Sequence, residues 1–278
     1  MRAAILLDLD EVEFIEPTFE DLADDKYTGM ILSMPAKAAK LLISTDDYPL
    51  AVALDSGKGW KCTSFLLRRP DPEIFDKLEE LDAEIFQEEK NEWQAAVREY
   101  YSLRIAEEVP PALDDFNPGR VLNISRLINN RWGSMEGEIC IDACCGSGAG
   151  SVALRSLGML PISFDNDPSL LSLGLRKGRL MPEETMCLDG THASKYLTRC
   201  EYGIMLMAGE IGPHNAPFWR KITHEMIEVT ELLLVTVGTE REARQIQSWA
   251  QEKECRVQTF ENEGDPFYDR WACEINKV

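Results

Sequence analysis

The second half of the sequence predicts an α/β fold, with a doubly wound, mostly parallel, seven-stranded sheet and a reversed C-terminal strand. Strand-like apolar runs alternate there with helix-like stretches, which is typical of right-handed βαβ crossovers. The last two runs, CRVQTFE and RWACEI, have only a loop between them, so they are predicted to form an antiparallel hairpin. A smaller β-rich N-terminal domain and a long helix are predicted to precede this sheet.

Five short apolar runs, broken by Pro, Gly and Asp, occupy the first seventy residues and are predicted to be strands: AAILLDL, GMILSM, KLLIST, PLAVALD and TSFLLRR. From Asp71 onward, apolar residues recur at helical spacing as far as Tyr101, which predicts one amphipathic helix ending before Pro110. The run ALDDFNPGR is interpreted as a linker. We therefore expect an acidic β-rich domain over 1–70, a helix and linker over 71–117, and the larger domain over 118–278.

Within the larger domain, a short helix over 121–130 is predicted to come before the first strand. The predicted strands before the hairpin are EICIDA, PISFD, TMCLD, YGIMLMA and LLLVTV. Helices are predicted from about Ala149, Pro168, Phe218 and Glu240, with a short one over 193–197.

The composition limits the classes of partner. The net charge is −20, of which −14 falls in residues 1–120, so we expect no extended nucleic-acid binding. No apolar run approaches the ~20 residues of a membrane helix, and MRAAILLDLDE turns acidic too early for a secretory signal, so we expect a cytoplasmic protein without a membrane partner. None of the eight cysteines has CxxC spacing, so we expect no metal and mostly reduced, buried thiols.

The run EICIDACCGSGAGSVALRSLG joins a strand to a helix through a glycine-rich turn. Such a turn brings backbone close to a ligand, and the helix start offers unpaired amides, so the geometry predicts an anion or nucleotide site. The spacing of Gly146, Gly148 and Gly150 is GxGxG, which matches neither the GxGxxG dinucleotide fingerprint nor a P-loop.

Asp142, Cys144, Gly146, Ser147 and Gly148 stand in the order D-A-C-C-G-S-G, which resembles motif I of the class I, Rossmann-like S-adenosylmethionine-dependent methyltransferases. The resemblance covers residues from about 118 to 278. It implies S-adenosyl-L-methionine as cofactor, with an acidic residue at the end of the first strand and the glycine loop around the methionine part. The commoner motif has a glycine where Cys144 stands, and we expect this small side chain to be tolerated there.

Two further strand ends carry acidic residues. Asp165, with Asn166 after it, ends the second strand, where its carboxylate is placed to accept hydrogen bonds from both ribose hydroxyls; Asp167 is the alternative if the strand runs longer. Asp189, with Gly190 after it, ends the third strand, and in the family this position contacts the adenine amine. A single aspartate is often just a helix cap, but three at successive strand ends favour a cofactor site.

The loop GEIGPHNAPFW follows the fourth strand, at the edge where ligands of doubly wound sheets bind. Glu210 and His214 are the candidate catalytic residues there, as groups that orient or deprotonate an acceptor, with solvent exposure and bracing of the turn as the alternatives. Phe218 and Trp219 either flank a substrate or anchor the next helix. Before the first strand, Asn117, Arg120 and Asn123 are candidates to reach the methionine carboxylate, and the sequence does not choose among them.

These residues lead to one main hypothesis and three alternatives. The main one is an S-adenosylmethionine-dependent methyltransferase that transfers the methyl group in line to a protein or other macromolecule, chosen with the help of the N-terminal domain. The alternatives are a small-molecule methyltransferase, an NAD-dependent oxidoreductase, and a catalytically inactive methyltransferase-like scaffold. The oxidoreductase shares the glycine turn and the ribose acid, but the GxGxG spacing and the terminal hairpin oppose it. The sequence does not fix the oligomeric state.

Overall fold

The computed structural model describes residues 1–277. The chain divides into two compact units, Met1–Arg104 and Ile105–Val278. The division falls inside a long helix, whereas the sequence analysis places a boundary in ALDDFNPGR. Val278, the last residue of the predicted larger domain, lies outside the described residues.

The first unit is a mixed α/β structure around a five-stranded sheet, in the order β1-β4-β3-β2-β5. Strands β2, β3 and β4 form an antiparallel meander, and the edge strands β1 and β5 pair parallel to their neighbours. The elements are α1 (Arg2–Leu6), β1 (Glu13–Phe14), a 3-10 helix (Glu20–Ala23), α2 (Lys26–Ser33), β2 (Ala39–Ser44), β3 (Pro49–Asp55), β4 (Trp60–Ser64), α3 (Glu73–Glu80) and β5 (Glu84–Glu88), followed by α4 (Lys90–Glu108), which continues past the division.

Several element predictions for this unit were wrong. The runs AAILLDL and GMILSM form α1 and α2, and the strand predicted at TSFLLRR ends at Ser64. The single amphipathic helix predicted from Asp71 is two helices with β5 between them, because Asp82 takes a left-handed φ of 48° and ends α3. The strands predicted at KLLIST and PLAVALD are confirmed.

The second unit contains the predicted seven-stranded sheet. Its elements are α5 (Pro118–Trp132), β6 (Ile139–Ala143), α6 (Ala149–Ser156), β7 (Leu160–Asp165), α7 (Pro168–Arg176), a 3-10 helix (Pro182–Glu184), β8 (Thr185–Cys187), a 3-10 helix (Gly190–Lys195), β9 (Cys200–Met205), α8 (Ala216–Val229), β10 (Thr230–Val237), α9 (Glu240–Gln251), β11 (Arg256–Glu261) and β12 (Trp271–Asn276).

The order of this sheet is β11-β12-β10-β9-β6-β7-β8, and the pairings from β10 through β8 are parallel. Strand β12 pairs antiparallel with both β10 and β11, so it alone runs in the reverse direction. The chain leaves β6 towards β7 and β8 and then returns to the other side of β6 with β9. Ligands of doubly wound sheets bind where the strand order reverses in this way, beyond the carboxyl ends of the strands. The Rossmann-like fold class predicted from the sequence is confirmed.

Each unit has its own apolar core. In the first unit Leu41, Val52 and Leu54 of the sheet pack with Ile74 and Leu78 of α3. In the second unit α5 and α6 pack on the sheet through a cluster whose buried residues include Ile128, Leu154, Ile204 and Leu234. All eight cysteines are free, and five of them are buried. Within residues 1–277 no helix is long and apolar enough to cross a membrane.

Candidate functional site

The glycine loop between β6 and α6 depends on left-handed backbone at three positions. Cys144, Gly146 and Gly148 have φ values of 53°, 53° and 92°. A Cβ on Gly148 would approach Leu180 Cγ to 2.9 Å, whereas a Cβ on Gly146 would meet no atom within 4 Å. Gly148 is therefore needed for close packing, and Gly146 faces open space. The methyltransferase motif more often has glycine at the position of Cys144. Glycine adopts a left-handed backbone without steric strain, whereas Cys144 adopts it with a side chain.

Asp142 lies buried beneath this loop. Its Oδ2 accepts a hydrogen bond of 2.7 Å from Ser151 Oγ, which lies 2.8 Å from Ser163 Oγ. Burial raises the pKa of Asp142 to about 6, in spite of the bond from Ser151. A Cβ on Gly150 would lie 2.6 Å from Asp142 Oδ1, so the first turn of α6 needs glycine to admit this carboxylate.

Asp165, at the end of β7, is held by two backbone amides. Gly146 N and Asp167 N each donate to one of its carboxylate oxygens at 2.9 Å. Burial raises the pKa of Asp165 against the effect of these bonds. Asp167, the alternative, instead caps α7 by accepting from Ser169 N and Leu170 N. The structure therefore places Asp165, not Asp167, beside the glycine loop.

Asp189 stands two residues beyond β8, since the strand ends at Cys187 rather than at Asp189 as predicted. It begins the next 3-10 helix by accepting a 2.9 Å hydrogen bond from Thr191 N. Partial burial acts to raise the pKa of Asp189, but the hydrogen bonds from Thr191 outweigh it and the pKa is lowered. Gly190 fits closely between Phe164 and Ile222, both 3.3 Å from a hypothetical Cβ.

One cavity of about 570 Å³ brings these residues together at the carboxyl ends of β6 to β9. The predicted residues in its lining are Asp142, Cys144, Gly146, Ser147, Asp165, Asn166, Asp189 and Gly190. Gly148 does not line it, and acts through the shape of the loop. Further lining residues include Asp115, Arg120, Leu170, Met207, Asn215, Phe218, Trp219 and Ile222.

The cavity lining contains more acidic than basic side chains. Four carboxylates line it, those of Asp115, Asp142, Asp165 and Asp189, against the single guanidinium of Arg120. Arg120 is held by the buried Asp269, with Nε to Oδ2 at 2.8 Å and Nη2 to Oδ1 at 3.2 Å. The cavity therefore favours a cationic ligand, with one fixed position for an anionic group.

Of the three candidates before the first strand, Arg120 is the one in the lining. Asn117 instead caps α5, where its side chain accepts from Gly119 N and Arg120 N. Asn123 is not in the lining. Among the three, the structure therefore brings only Arg120 to the cavity.

The structure does not bring Glu210 and His214 into the cavity, since both side chains are exposed and neither is in its lining. The loop is anchored by the buried Ile211, whose amide donates to Glu242 Oε1 at 2.9 Å, and this leaves the flanking side chains in solvent. Asn215 braces the turn instead, by accepting from Gly212 N and donating to the Glu210 carbonyl, each at 2.8 Å.

Phe218 and Trp219, which the sequence left between substrate contact and packing, both line the cavity. Trp219 also packs on the loop, because a Cβ on Gly209, whose φ is 73°, would lie 3.2 Å from its ring. Phe218 and Met207 are exposed as well as lining the cavity, so they form its apolar rim.

Asp115 also lines the cavity, and the sequence did not predict this because its segment was interpreted as a linker. The segment is fixed: Arg179 Nη2 contacts both carboxylate oxygens of Asp114, at 2.8 and 2.7 Å, and its guanidinium lies 3.9 Å from the centre of the Phe116 ring. Arg179 is 65 residues away in the chain, so no local pattern signals the contact. Within residues 1–277 no group of three or more His, Cys, Asp or Glu side chains is arranged to hold a metal ion.

No protein family model matches the sequence, and no curated protein is similar enough to be matched. Among solved structures, magnesium protoporphyrin IX methyltransferase from Synechocystis with bound SAM is 14% identical, with 66% of this chain and 97% of that chain covered and a TM-score of 0.46. A TehB-like SAM-dependent methyltransferase from Corynebacterium glutamicum is 17% identical, with 66% and 99% covered and a TM-score of 0.43. An S-adenosylmethionine-dependent methyltransferase from Clostridium acetobutylicum is 8% identical, with 58% and 92% covered and a TM-score of 0.45.

Proposed function

We propose that this chain binds S-adenosylmethionine in the cavity of the second unit and transfers its methyl group to an acceptor. One observation carries the proposal. Asp142 and Asp165 stand at the carboxyl ends of β6 and β7, and Asp189 stands two residues beyond β8. The three carboxylates line one cavity and share it with the glycine loop that follows β6. This is the arrangement that the resemblance to class I methyltransferases implies.

The charge of the cavity favours this cofactor over a dinucleotide. S-adenosylmethionine carries a sulfonium and an ammonium against one carboxylate, so it is a net cation. NAD carries a negative pyrophosphate, which four carboxylates would repel. The single guanidinium of Arg120 suits the one carboxylate of S-adenosylmethionine.

The residues of the lining fit the parts of the cofactor. We assign the methionine end to Asp142, Arg120 and the loop from Gly146 to Gly148, where the open space beside Gly146 allows close approach to backbone. Asp165 is assigned to the ribose hydroxyls, with Asn166 beside it. Asp189 is assigned to the adenine amine, with Gly190 and Ile222 against the ring.

The cofactor, when bound, supplies an activated methyl group. The chain's own part is to hold that group in line with an acceptor, and positioning of this kind accounts for much of the rate in such reactions. Because Glu210 and His214 lie outside the lining, we assign the orientation of the acceptor to Asn215, Phe218 and Trp219. The exposed rim of Met207 and Phe218 supports our assignment of the acceptor to the mouth of the cavity.

For the acceptor we propose a protein or other macromolecule, selected with the help of the acidic first unit. The support is that the first unit, residues 1–104, holds −11 of the net charge of −20, which suits a basic partner. Transfer of label from S-adenosylmethionine in a cell extract tests this: label in macromolecules is expected, and label only in small molecules would replace the acceptor class. Cofactor binding without any labelled product would identify a non-catalytic scaffold.

Isothermal titration calorimetry tests the cofactor. We expect the chain to bind S-adenosylhomocysteine and not NAD. Hydrogen bonds to a charged group contribute about 1.5–3 kcal/mol, so Asp165→Ala should weaken binding by about 10- to 100-fold. Asp167→Ala is the matched control, because that carboxylate caps α7 outside the lining. Unchanged affinity in Asp165→Ala, or preference for NAD, would overturn the proposal.

A further inference from the structure

The first unit has a groove beside an open sheet edge that is separate from the proposed cofactor site. It measures about 380 Å³ and lies between helix α3 and strand β5. Its lining is Leu41, Phe75, Asp76, Leu78, Glu79, Asp82, Ala83 and Ile85. We propose that it binds an extended, basic segment of a partner protein as an additional strand on β5. This proposal does not depend on methyl transfer.

Strand β5 is the last strand of its sheet and pairs only with β2. Successive residues of a strand direct their backbone groups to opposite sides, so alternate residues of Glu84–Glu88 direct N–H and C=O groups away from β2. Across the described residues, these groups have no backbone partner beyond β2. The open edge can therefore accept one more strand by main-chain hydrogen bonding.

Some apolar side chains of the groove are buried and others are exposed to solvent. Ile85 is paired in register with Leu41, so the two side chains share the sheet face on which α3 packs. Leu41 is buried there against Leu78, but Ile85 is 64% exposed and Phe75 of α3 is 41% exposed. A strand added about 4.8 Å beyond β5 would bring an apolar side chain against both of them.

The charge around this apolar patch has one sign. Asp76, Glu79 and Asp82 are in the lining of the groove, which contains no Lys, Arg or His side chain. Lys77, on the same helix, is committed elsewhere, because its Nζ donates to the carbonyls of Leu32 and Met34 at 2.6 and 2.5 Å. Residues 71–92 hold ten acids and two lysines.

The negative charge of the groove favours a basic segment of a partner protein over a second copy of this chain. Acidic residues on an edge strand discourage pairing with a second copy of the chain, since two such edges repel each other. The same carboxylates attract a segment with Lys or Arg two residues to either side of an apolar residue, because alternate side chains of a strand face the same way. The groove therefore fits a pattern of basic, any, apolar, any, basic.

Fluorescence anisotropy with the full chain and a labelled nonapeptide, KTKTITKTK, tests the proposal. We expect saturable binding that is at least about tenfold tighter than that of ETETITETE, and that weakens as NaCl rises from about 20 to 500 mM. The peptide KTKPIPKTK keeps the charge but loses two backbone donors, so it should also bind at least about tenfold more weakly. Amide hydrogen exchange across Glu84–Glu88 should slow when KTKTITKTK is bound.

Variants locate the site. Ile85→Ala should weaken binding of KTKTITKTK by about fivefold, and Ile5→Ala, a change of another exposed isoleucine of the same unit, should not. The triple variant Asp76→Asn, Glu79→Gln and Asp82→Asn should remove most of the salt dependence, whereas Asp10→Asn with Glu11→Gln should keep it. All these side chains are at least partly exposed, and thermal melting checks that each variant is folded.

Any of these results would overturn the proposal: no saturable binding up to about 1 mM peptide, equal affinity for the proline peptide, unchanged affinity in Ile85→Ala, or equal effects of the two sets of charge changes. Sedimentation of the unliganded chain is the remaining test. A dimer that Ile85→Ala dissociates would identify a second copy as the occupant, against our assignment.

Discussion

Burial of the ionised Asp142 carboxylate lowers the free energy of unfolding of the protein. Burial raises its pKa from 3.8 to about 6, which means that the folded protein holds the ionised form less readily than the unfolded chain does. The protonated form therefore contributes stability that is present below pH 4 and is lost as the pH rises through 6. Retention of an acid here is understandable if its charge serves the cationic ligand that we propose.

We predict that Asp142→Asn is more stable than the parent protein at pH 8, by roughly 2–3 kcal/mol for a shift of about two pKa units. This advantage should fall to about half near pH 5, because the parent carboxyl is then mostly protonated in the folded state. Urea denaturation at the two pH values measures it. The variant should also bind S-adenosylhomocysteine more weakly, and Ser163→Ala, which alters only the neighbouring hydroxyl, is the control for local packing.

A pH-independent difference between Asp142→Asn and the parent protein would show that the change acts through packing rather than through the carboxyl charge. A variant that is less stable at pH 8 would contradict the prediction outright.

The first turn of α6 packs so closely on the Asp142 side chain of β6 that a methyl group on Gly150 would clash with it. Gly150 lies in the first turn of α6, and its missing side chain leaves room for the carboxylate of Asp142. The sequence showed a third glycine in the loop but not the reason for it. The reason is a tertiary contact between the first turn of α6 and a side chain of the preceding strand, which the residue pattern does not show.

We therefore predict that Gly150→Ala lowers both the free energy of unfolding, by about 1–3 kcal/mol, and the affinity for S-adenosylhomocysteine, because Asp142 must move. Gly29→Ala is the matched control: Gly29 is also inside a helix, and a Cβ there would meet nothing within 4 Å. Alanine is the better helix former, so Gly29→Ala should be neutral or stabilising by up to about 1 kcal/mol. Thermal melts and calorimetry of both variants test this, and a neutral Gly150→Ala would contradict it.

At the level of elements, the second unit was predictable from sequence because its strands are distinct apolar runs, and β6, β7, β9 and β10 are each followed by an α-helix. The first unit was not. RAAIL is too short for periodicity to distinguish helix from strand, and its two alanines favour the helix that forms. From Phe75 to Phe86 the apolar residues keep helical spacing, but Asp82 has a left-handed backbone and lies in the turn between the end of α3 and the start of β5.

The candidate site likewise contains residues that could be predicted from sequence and residues that could not. Asp142, Asp165 and Asp189 were found because the carboxyl ends of parallel strands must meet at one sheet edge. Asp115 was not found, because its segment is held by contacts of Arg179 that are distant in sequence. Glu210 and His214 were chosen for their chemistry and position in the loop, but the burial of Ile211 between them decides which way their side chains face.

The net charge of the whole molecule leads to a last prediction. Residues 1–104 hold 12 Lys and Arg against 23 Asp and Glu, a balance of −11, and residues 105–278 hold 17 against 26, a balance of −9. The chain has 49 acids and 29 bases, so acids outnumber bases by twenty. Self-repulsion of this kind destabilises a compact state, and salt screens it.

We expect the melting temperature at pH 7.5 to rise when NaCl is increased from about 20 to 300 mM, because screening of repulsion outweighs the loss of exposed ion pairs that contribute little. The first unit has the larger charge on the smaller number of residues, so it should gain more. Hydrogen exchange distinguishes the two units: protection of amides in β2 and β3 of the first unit should increase more than protection in β6 and β10 of the second. A fall in melting temperature with salt would mean that the surface ion pairs, such as Arg220 with Glu252, dominate over the repulsion.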